Sequence, residues 1–437
     1  MRKFLFFLLS FLPFYVCNGS ENLNQEVVGA NNFKIVMEDG RAQFYKNGEP
    51  FFIQGVGGLT QLDRAAFYGA NAFRTWDASV SETTKELNDA KANNMYLMSG
   101  IRLSHHIEDY FNEAYKDSAR NVVRELVSAF KDNPNLMIWC LGNEINLSGA
   151  NSKEVWGFIN ELAGIIKEQD LNHPISTAIS HSEAALNNIA MYAPNIDVVG
   201  FNTYGGIYSM KNLFAGSQYK GAYIVSEWGP NGYWENRYTS WRAPVEPTSE
   251  NKRVEYEKRY TDFIVDNDRC IGSFVSLWDQ KQERTPTWFS MFVEKNVPGL
   301  PINGEACPTV ETMEKLWKNA EPTERAPVVD GVTLNGKIEG ETEKFAGGSL
   351  VKAVANAFDP RGYQLTYHWE ILKEATVLGS GGSYEPRPDR VGEVITGYSN
   401  EQDIMVPASD GNYRLFVYVL NGRGMVGTSN IPFQVEN

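Results

Sequence analysis

Two glutamates, Glu144 and Glu227, each close an apolar run. The first ends Asn135-Leu-Met-Ile-Trp-Cys-Leu-Gly-Asn-Glu144, and the second sits in Tyr223-Ile-Val-Ser-Glu-Trp-Gly229. Runs this short, rich in β-branched and aromatic residues, read as fully buried strands of a parallel sheet. A carboxylate is rarely buried without a partner, so each glutamate marks a strand end that opens onto something polar. Two carboxyl groups at the same ends of two such strands suit a general acid and a nucleophile facing one sugar bond. A retaining mechanism needs them about 5–5.5 Å apart, and an inverting one roughly 6.5–9.5 Å. The competing account, a solvated strand-end Glu or half of a structural ion pair, fits one site more easily than two.

The surrounding chain supplies a frame for both. Strand-like runs occur at 51–55, 71–76, 95–102, 136–142, 174–180, 197–203, 223–226 and 272–277, with helical patterns between them. Residues 81–94, 110–131, 152–169 and 251–265 repeat apolar side chains at three and four, and 310–318 offers a closing helix. Eight strand–helix units in this order match an α/β fold of the (β/α)₈ TIM-barrel type. An open doubly wound sheet is the rival, but Gly55-Val-Gly-Gly58 lacks the spacing of its phosphate turn. In a barrel the C-terminal strand ends form the active face. Arg74, Glu144, Tyr204, Glu227 and Trp278 all fall there.

Before the barrel, Asp39-Gly40 and Asn47-Gly48 separate short strand patterns and predict small hairpins. After it, Glu321-Pro-Thr-Glu-Arg-Ala-Pro327 reads as a Pro-rich linker over 321–330. Residues 331–437 then alternate polar and apolar positions between Gly-rich turns, the pattern of an immunoglobulin-like β-sandwich. The catalytic barrel with its hairpins is thus expected over 20–320. Residues 1–19 read as an export signal, Arg2 and Lys3 preceding an apolar stretch too short to span a bilayer. Two processing routes are open. Cys17 suits the lipid anchor of a bacterial lipoprotein, although Phe14 and Val16 match that signal poorly; Cys17 and Gly19 also frame an ordinary cleavage. The expected location is the periplasm or outer surface of a Gram-negative cell, as a monomer.

Without Arg2 and Lys3 the net charge is about −16, which argues against nucleic acid or anionic lipid as a partner. It also disfavours a polyanionic substrate. The four cysteines, Cys17, Cys140, Cys270 and Cys307, form neither a disulfide framework nor a zinc-like spacing. His105 and His106 are adjacent on an extended segment and point to opposite faces, so neither a metal site nor a cofactor is expected.

Asn143-Glu144, Glu227 in Ser-Glu-Trp-Gly, Arg74, Tyr204 and Trp278, on five barrel strand ends, resemble clan A retaining glycoside hydrolases. The resemblance covers roughly 33–320. The C-terminal segment Ala357-Phe-Asp-Pro-Arg-Gly-Tyr-Gln-Leu-Thr-Tyr-His-Trp-Glu370 resembles immunoglobulin-like modules attached to such enzymes in Bacteroidetes. The layout is most similar to glycoside hydrolase family 158, whose endo-β-1,3-glucanase activity implies a laminarin-type glucan as substrate. Asn202 departs from the pattern, since many relatives carry His two residues before the Tyr.

The resemblance makes Glu144 the acid/base and Glu227 the nucleophile. Their pKa values must then differ at one pH, Glu144 kept protonated by apolar surroundings and a nearby negative charge. Arg74 and Tyr204 are placed to hold Glu227 ionised, with a structural ion pair as the plainer role for Arg74. Asn143 suits the sugar 2-OH, or a strand-end cap. Trp76 and Trp278 are candidate floors of the cleft, and Trp234, Trp241 and Trp288 on the seventh and eighth loops candidate sugar platforms; core packing competes for each. The competing functions are an exo-acting β-glycosidase, a β-mannanase or a transglycosidase on the same residues, and a non-catalytic glycan-binding lipoprotein.

Overall fold

The computed structural model describes residues 31–338, 344–379 and 383–437; the expected export signal and Cys17 lie outside them. Strands β1 (Phe33–Glu38), β2 (Arg41–Lys46) and β3 (Glu49–Pro50) form two antiparallel hairpins. Their turns hold Asp39, Gly40, Asn47 and Gly48 at positive φ, the backbone that Asp-Gly and Asn-Gly supply. Phe33 and Phe44 are buried and pack with Phe51 and Tyr96. Backbone bonds from Phe33 to Asn172 and from Ala42 to Asp268 pin these hairpins across the N-terminal mouth of the barrel.

Eight parallel strands close that barrel: β4 (Ile53–Gly57), β5 (Ala72–Arg74), β6 (Tyr96–Ile101), β7 (Leu136–Asn143), β8 (Ile175–Ser180), β9 (Val198–Asn202), β10 (Ala222–Trp228) and β11 (Cys270–Val275). Around it lie α1 (Leu62–Phe67), α2 (Val80–Ala92), α3 (Glu113–Phe130), α4 (Lys153–Lys167), α5 (Glu183–Tyr192), α6 (Met210–Gly216), α7 (Ser249–Arg259) and α8 (Pro308–Lys318). Five of these start where a side chain caps the exposed N–H groups: Ser79, Asn112, Ser152, Ser182 and Thr248 each accept from the first turn. The cap of α2 is therefore Ser79, two residues before the start expected at Ser81. The strands are buried on both faces, with Ile53, Met98, Ile138 and Phe274 filling the interior. Val56, Leu97, Trp139 and Val199 pack outward against the helices. This double burial explains why the strand runs are continuously apolar.

The C-terminal unit is a sandwich of two antiparallel sheets. One has the order β12 (Val328–Leu334), β13 (Leu350–Phe358), β16 (Glu401–Met405); the other β15 (Arg390–Gly397), β14 (Thr366–Lys373), β17 (Gly411–Leu420), β18 (Val426–Val435). One expectation changes here. The linker expected over 321–330 is shorter, because β12 begins at Val328. It is also pinned to the barrel: the Thr323 N–H and hydroxyl donate to Glu314, and Arg325 pairs with Glu311 at 2.7 Å. The second sheet also turns an apolar face outward, where Leu372, Phe416, Tyr418 and Val426 pack with Val293, Leu300, Ile302 and Cys307 of the barrel's last loop.

Candidate active site

At the end of β10 the pairing slips on both sides, between Ile224 and Glu227 against β9 and between Val225 and Trp228 against β11. Such irregularities re-aim side chains. Trp228 is driven into the core against Tyr256, while Glu227 faces the cleft. Two donors converge on its Oε1: Arg74 Nη1 at 3.2 Å and Trp76 Nε1 at 3.0 Å. Arg74 is almost fully buried and also donates to the Ser226 carbonyl at 2.8 Å and to Asn143 Oδ1 at 3.0 Å. It is not among the residues lining the cleft; it reaches Glu227 from beneath, the contact expected of it, and no surface of it is offered to a substrate as a binding residue's would be.

Glu144 follows the last residue of β7 and takes a left-handed backbone, φ +51°. That conformation costs a non-glycine residue about 1–2 kcal/mol, and cores sustain it mainly at functional sites. Its amide N–H donates to the Ala178 carbonyl at 2.8 Å, fixing the turn. The carboxyl pKa is raised to about 7: burial contributes most and the Glu227 charge next, while Asn202 and Arg74 pull the other way. Asn202 is the junction between the two glutamates. Its Nδ2 donates to Asn143 Oδ1 at 3.1 Å, and its Oδ1 accepts from the Ser226 hydroxyl at 2.7 Å. With Asn143 Oδ1 taken by Arg74 and Asn202, its NH₂ is the group left for a ligand in the cleft.

The two carboxyls share a cleft of about 1070 Å³ that Trp76, Asn143, Asn202, Tyr204 and Trp234 also line. Tyr204 is held edge-on to Trp234 at 5.7 Å and to Phe289 at 5.6 Å. Burial and the Glu227 charge push its phenol well above the usual tyrosine range. Trp234 is 53% exposed and forms an open rim. The loops are set by Glu235, which accepts from the Gly205 and Gly232 amides at 2.8 Å each and from Gly206 at 3.2 Å. A Cβ on Gly205 would come within 2.9 Å of the Glu235 carboxyl, so a larger residue there would have to push that side chain aside.

Three tryptophans belong elsewhere. Trp278 is buried against Tyr68, Phe292 and Trp317, and it is Ser276 and Leu277 that line the wall in its stead. Trp288 is fully buried and donates Nε1 to the Asn231 carbonyl at 2.9 Å. Trp241 is half-buried and outside the cleft lining. Each of these rings has apolar surface that neighbouring loops cover more cheaply than water does. His181, Glu235, Lys281 and Glu283 carry no sequence signal and line the cleft from loops without periodicity, as do Tyr233 and His105, the latter weighed above only as a metal ligand. Burial lowers the pKa of both His105 and His181. Among the described residues no cluster of three or more His, Cys, Asp or Glu could hold a metal ion.

Fold and site together define a parallel eight-stranded barrel with a two-carboxyl cleft, joined to a β-sandwich. No protein-family model matches the chain. It is 26% identical over 141 residues to mannan endo-1,4-β-mannosidase F of Aspergillus clavatus, covering 32% of this chain and 31% of that protein. A probable mannan endo-1,4-β-mannosidase A-2 of Aspergillus terreus is 27% identical over 136 residues, 31% of this chain and 33% of the other. The chain thus spans about a third of the length of the curated relatives it matches. Among solved structures, a Bacteroides uniformis β-glucuronidase superposes at TM-score 0.48 with 15% identity, over 92% of this chain and 48% of that one. A Dictyoglomus thermophilum β-D-glucuronidase does so at 0.47 with 17% identity, over 66% and 54%.

Proposed function

We propose that this chain is a retaining glycoside hydrolase acting on a β-linked glycan by double displacement. The observation that carries this is the unequal pair. Glu144 holds a proton to about pH 7, while Glu227 is gripped at Oε1 by a guanidinium and an indole N–H. Glu227 attacks the anomeric carbon as Glu144 protonates the departing oxygen. Glu144 then removes a proton from water, which hydrolyses the glycosyl-enzyme. Asn143 offers its NH₂ to the 2-OH, a bond that strengthens in the transition state. A binding-only barrel has no need of this division of labour between two carboxyls.

The substrate proposed is a neutral β-glucan cut internally, β-1,3-linked as in laminarin, in keeping with the acidic chain and with an exposed Trp234 beside a large cleft. The partial match to two Aspergillus mannanases favours β-1,4-mannan as the second reading. Export, with Cys17 as a lipid anchor on a monomer, belongs to the same proposal. Proton NMR of the first products from laminarin and β-1,4-mannan tests it. Initial β-configured products of mixed length are expected from laminarin. Initial α-configuration overturns double displacement, release of monosaccharide alone overturns internal cleavage, and cleavage of mannan alone moves the substrate to the second reading.

A further inference from the structure

The sandwich reaches the cleft itself. Ser383, on the loop after β14, lines the same cavity as Glu144 and Glu227. Two residues on, the Glu385 side chain is fully buried in an ion pair with Arg284 at 2.6 Å. Its second oxygen accepts from the Arg284 amide at 2.7 Å, and Gly379 N–H donates to the first at 2.9 Å. Arg284 lies on the barrel's eighth loop at φ +62°, a left-handed backbone that two bonds to one carboxylate over-determine. Its guanidinium stacks 4.0 Å above the ring of Tyr233, another cleft residue. A buried ion pair between domains is a costly way to build a mere spacer. Beside it Val377, Leu378 and Tyr384 stand exposed, Tyr384 at 84%. Tyr384 thus presents its ring to solvent one residue along the chain from cleft-lining Ser383.

We propose that the sandwich loop carrying Ser383, Tyr384 and Glu385 forms the wall of a distal sugar subsite, for a further unit of a β-glycan chain. The Glu385–Arg284–Tyr233 relay fixes that wall against the barrel, and Tyr384 offers the chain an aromatic face. This rests on the glycoside hydrolase reading above and extends it to a second domain. A unit bound there touches no reacting atom, so the contribution appears in chain-length preference.

The test uses the full chain and two variants, Tyr384→Ala and Glu385→Gln, with trisaccharides and hexasaccharides of β-1,3-glucan and β-1,4-mannan. Tyr384 is so exposed that its truncation removes no core contact; a melting curve monitors Glu385→Gln. The expected result is that the hexasaccharide-to-trisaccharide ratio of kcat/KM falls about tenfold in both variants, mainly through a higher KM for the hexasaccharide. An active wild type whose ratio is unchanged within about twofold in both variants overturns this inference and leaves the two-glutamate reading standing. A wild type inactive on all four substrates overturns both.

Discussion

At the scale of single residues, the site turns on one proton. Glu144 is raised to about 7, and in the proposed mechanism the acid form is the one that acts on the leaving group, so kcat/KM should fall as pH rises through that value. The alkaline limb should vanish in Glu144→Ala assayed with a dinitrophenyl glycoside, whose leaving group needs no protonation. That variant should recover much of the rate lost on natural linkages, while Glu227→Ala should stay orders of magnitude down on both substrates. Recovery in Glu227→Ala reverses the two roles. The sequence disclosed both glutamates because polar residues at the ends of apolar strands are conspicuous. It did not disclose that Trp76 donates to Glu227, since an indole written in a sequence does not show where its N–H points.

At the scale of elements, strands were more legible than loops. The eight strand runs were readable because burial on both faces leaves continuous apolar segments, and the Asp-Gly and Asn-Gly turns because their backbone requires those residues. Short α1, α5 and α6 left too few periods to read. Aromatic loop residues were ambiguous, for a ring packs equally well against sugar or against another ring. Trp234 and Trp288 separate these fates. Trp288→Ala should cost about 3–5 kcal/mol of stability as a buried ring is lost, read as a lower melting temperature. Trp234→Ala should leave the melting temperature near wild type and raise KM for oligosaccharides. The opposite pairing of effects would exchange their assignments.

The element behind the site carries a second titration. Glu86 of α2 is buried, its pKa raised to about 7 chiefly by burial and also by Glu82, Asp89 and Asp77, and the Thr75 hydroxyl donates to it at 3.2 Å. A carboxyl whose folded pKa lies above its unfolded value favours folding below about pH 4.5, and loses that contribution as pH rises through about 7. Glu86→Gln keeps the shape and removes the charge. It should stabilise the protein on the order of 1–3 kcal/mol at pH 8 and show a much smaller difference at pH 5, measured by denaturant unfolding. A gain of equal size at both pH values would show that the charge is not what matters.

Considered as a whole molecule, the chain is two cores sharing a wall, a relationship the sequence concealed. The Pro-rich break at Glu321 reads as a linker because composition reports local backbone and not what that segment touches. In the structure Glu311 and Glu314 of α8 hold that segment down. Across the wall Arg387 pairs with Glu294 at 3.0 Å, Arg414 donates to the Pro244 carbonyl at 2.8 Å, and Asn430 donates to buried Glu246 at 2.6 Å. A chain ending at Ala320 would expose Val293, Leu300 and Ile302, each worth about 1.5–3 kcal/mol when buried, and leave Glu294 without its guanidinium. The truncated barrel should therefore express with poor solubility and melt well below the full chain. Wild-type melting of that truncated form would show the sandwich to be an independent appendage. The buried ionic contacts make that outcome physically unfavourable, because each partner left behind keeps its desolvation cost and loses its compensation.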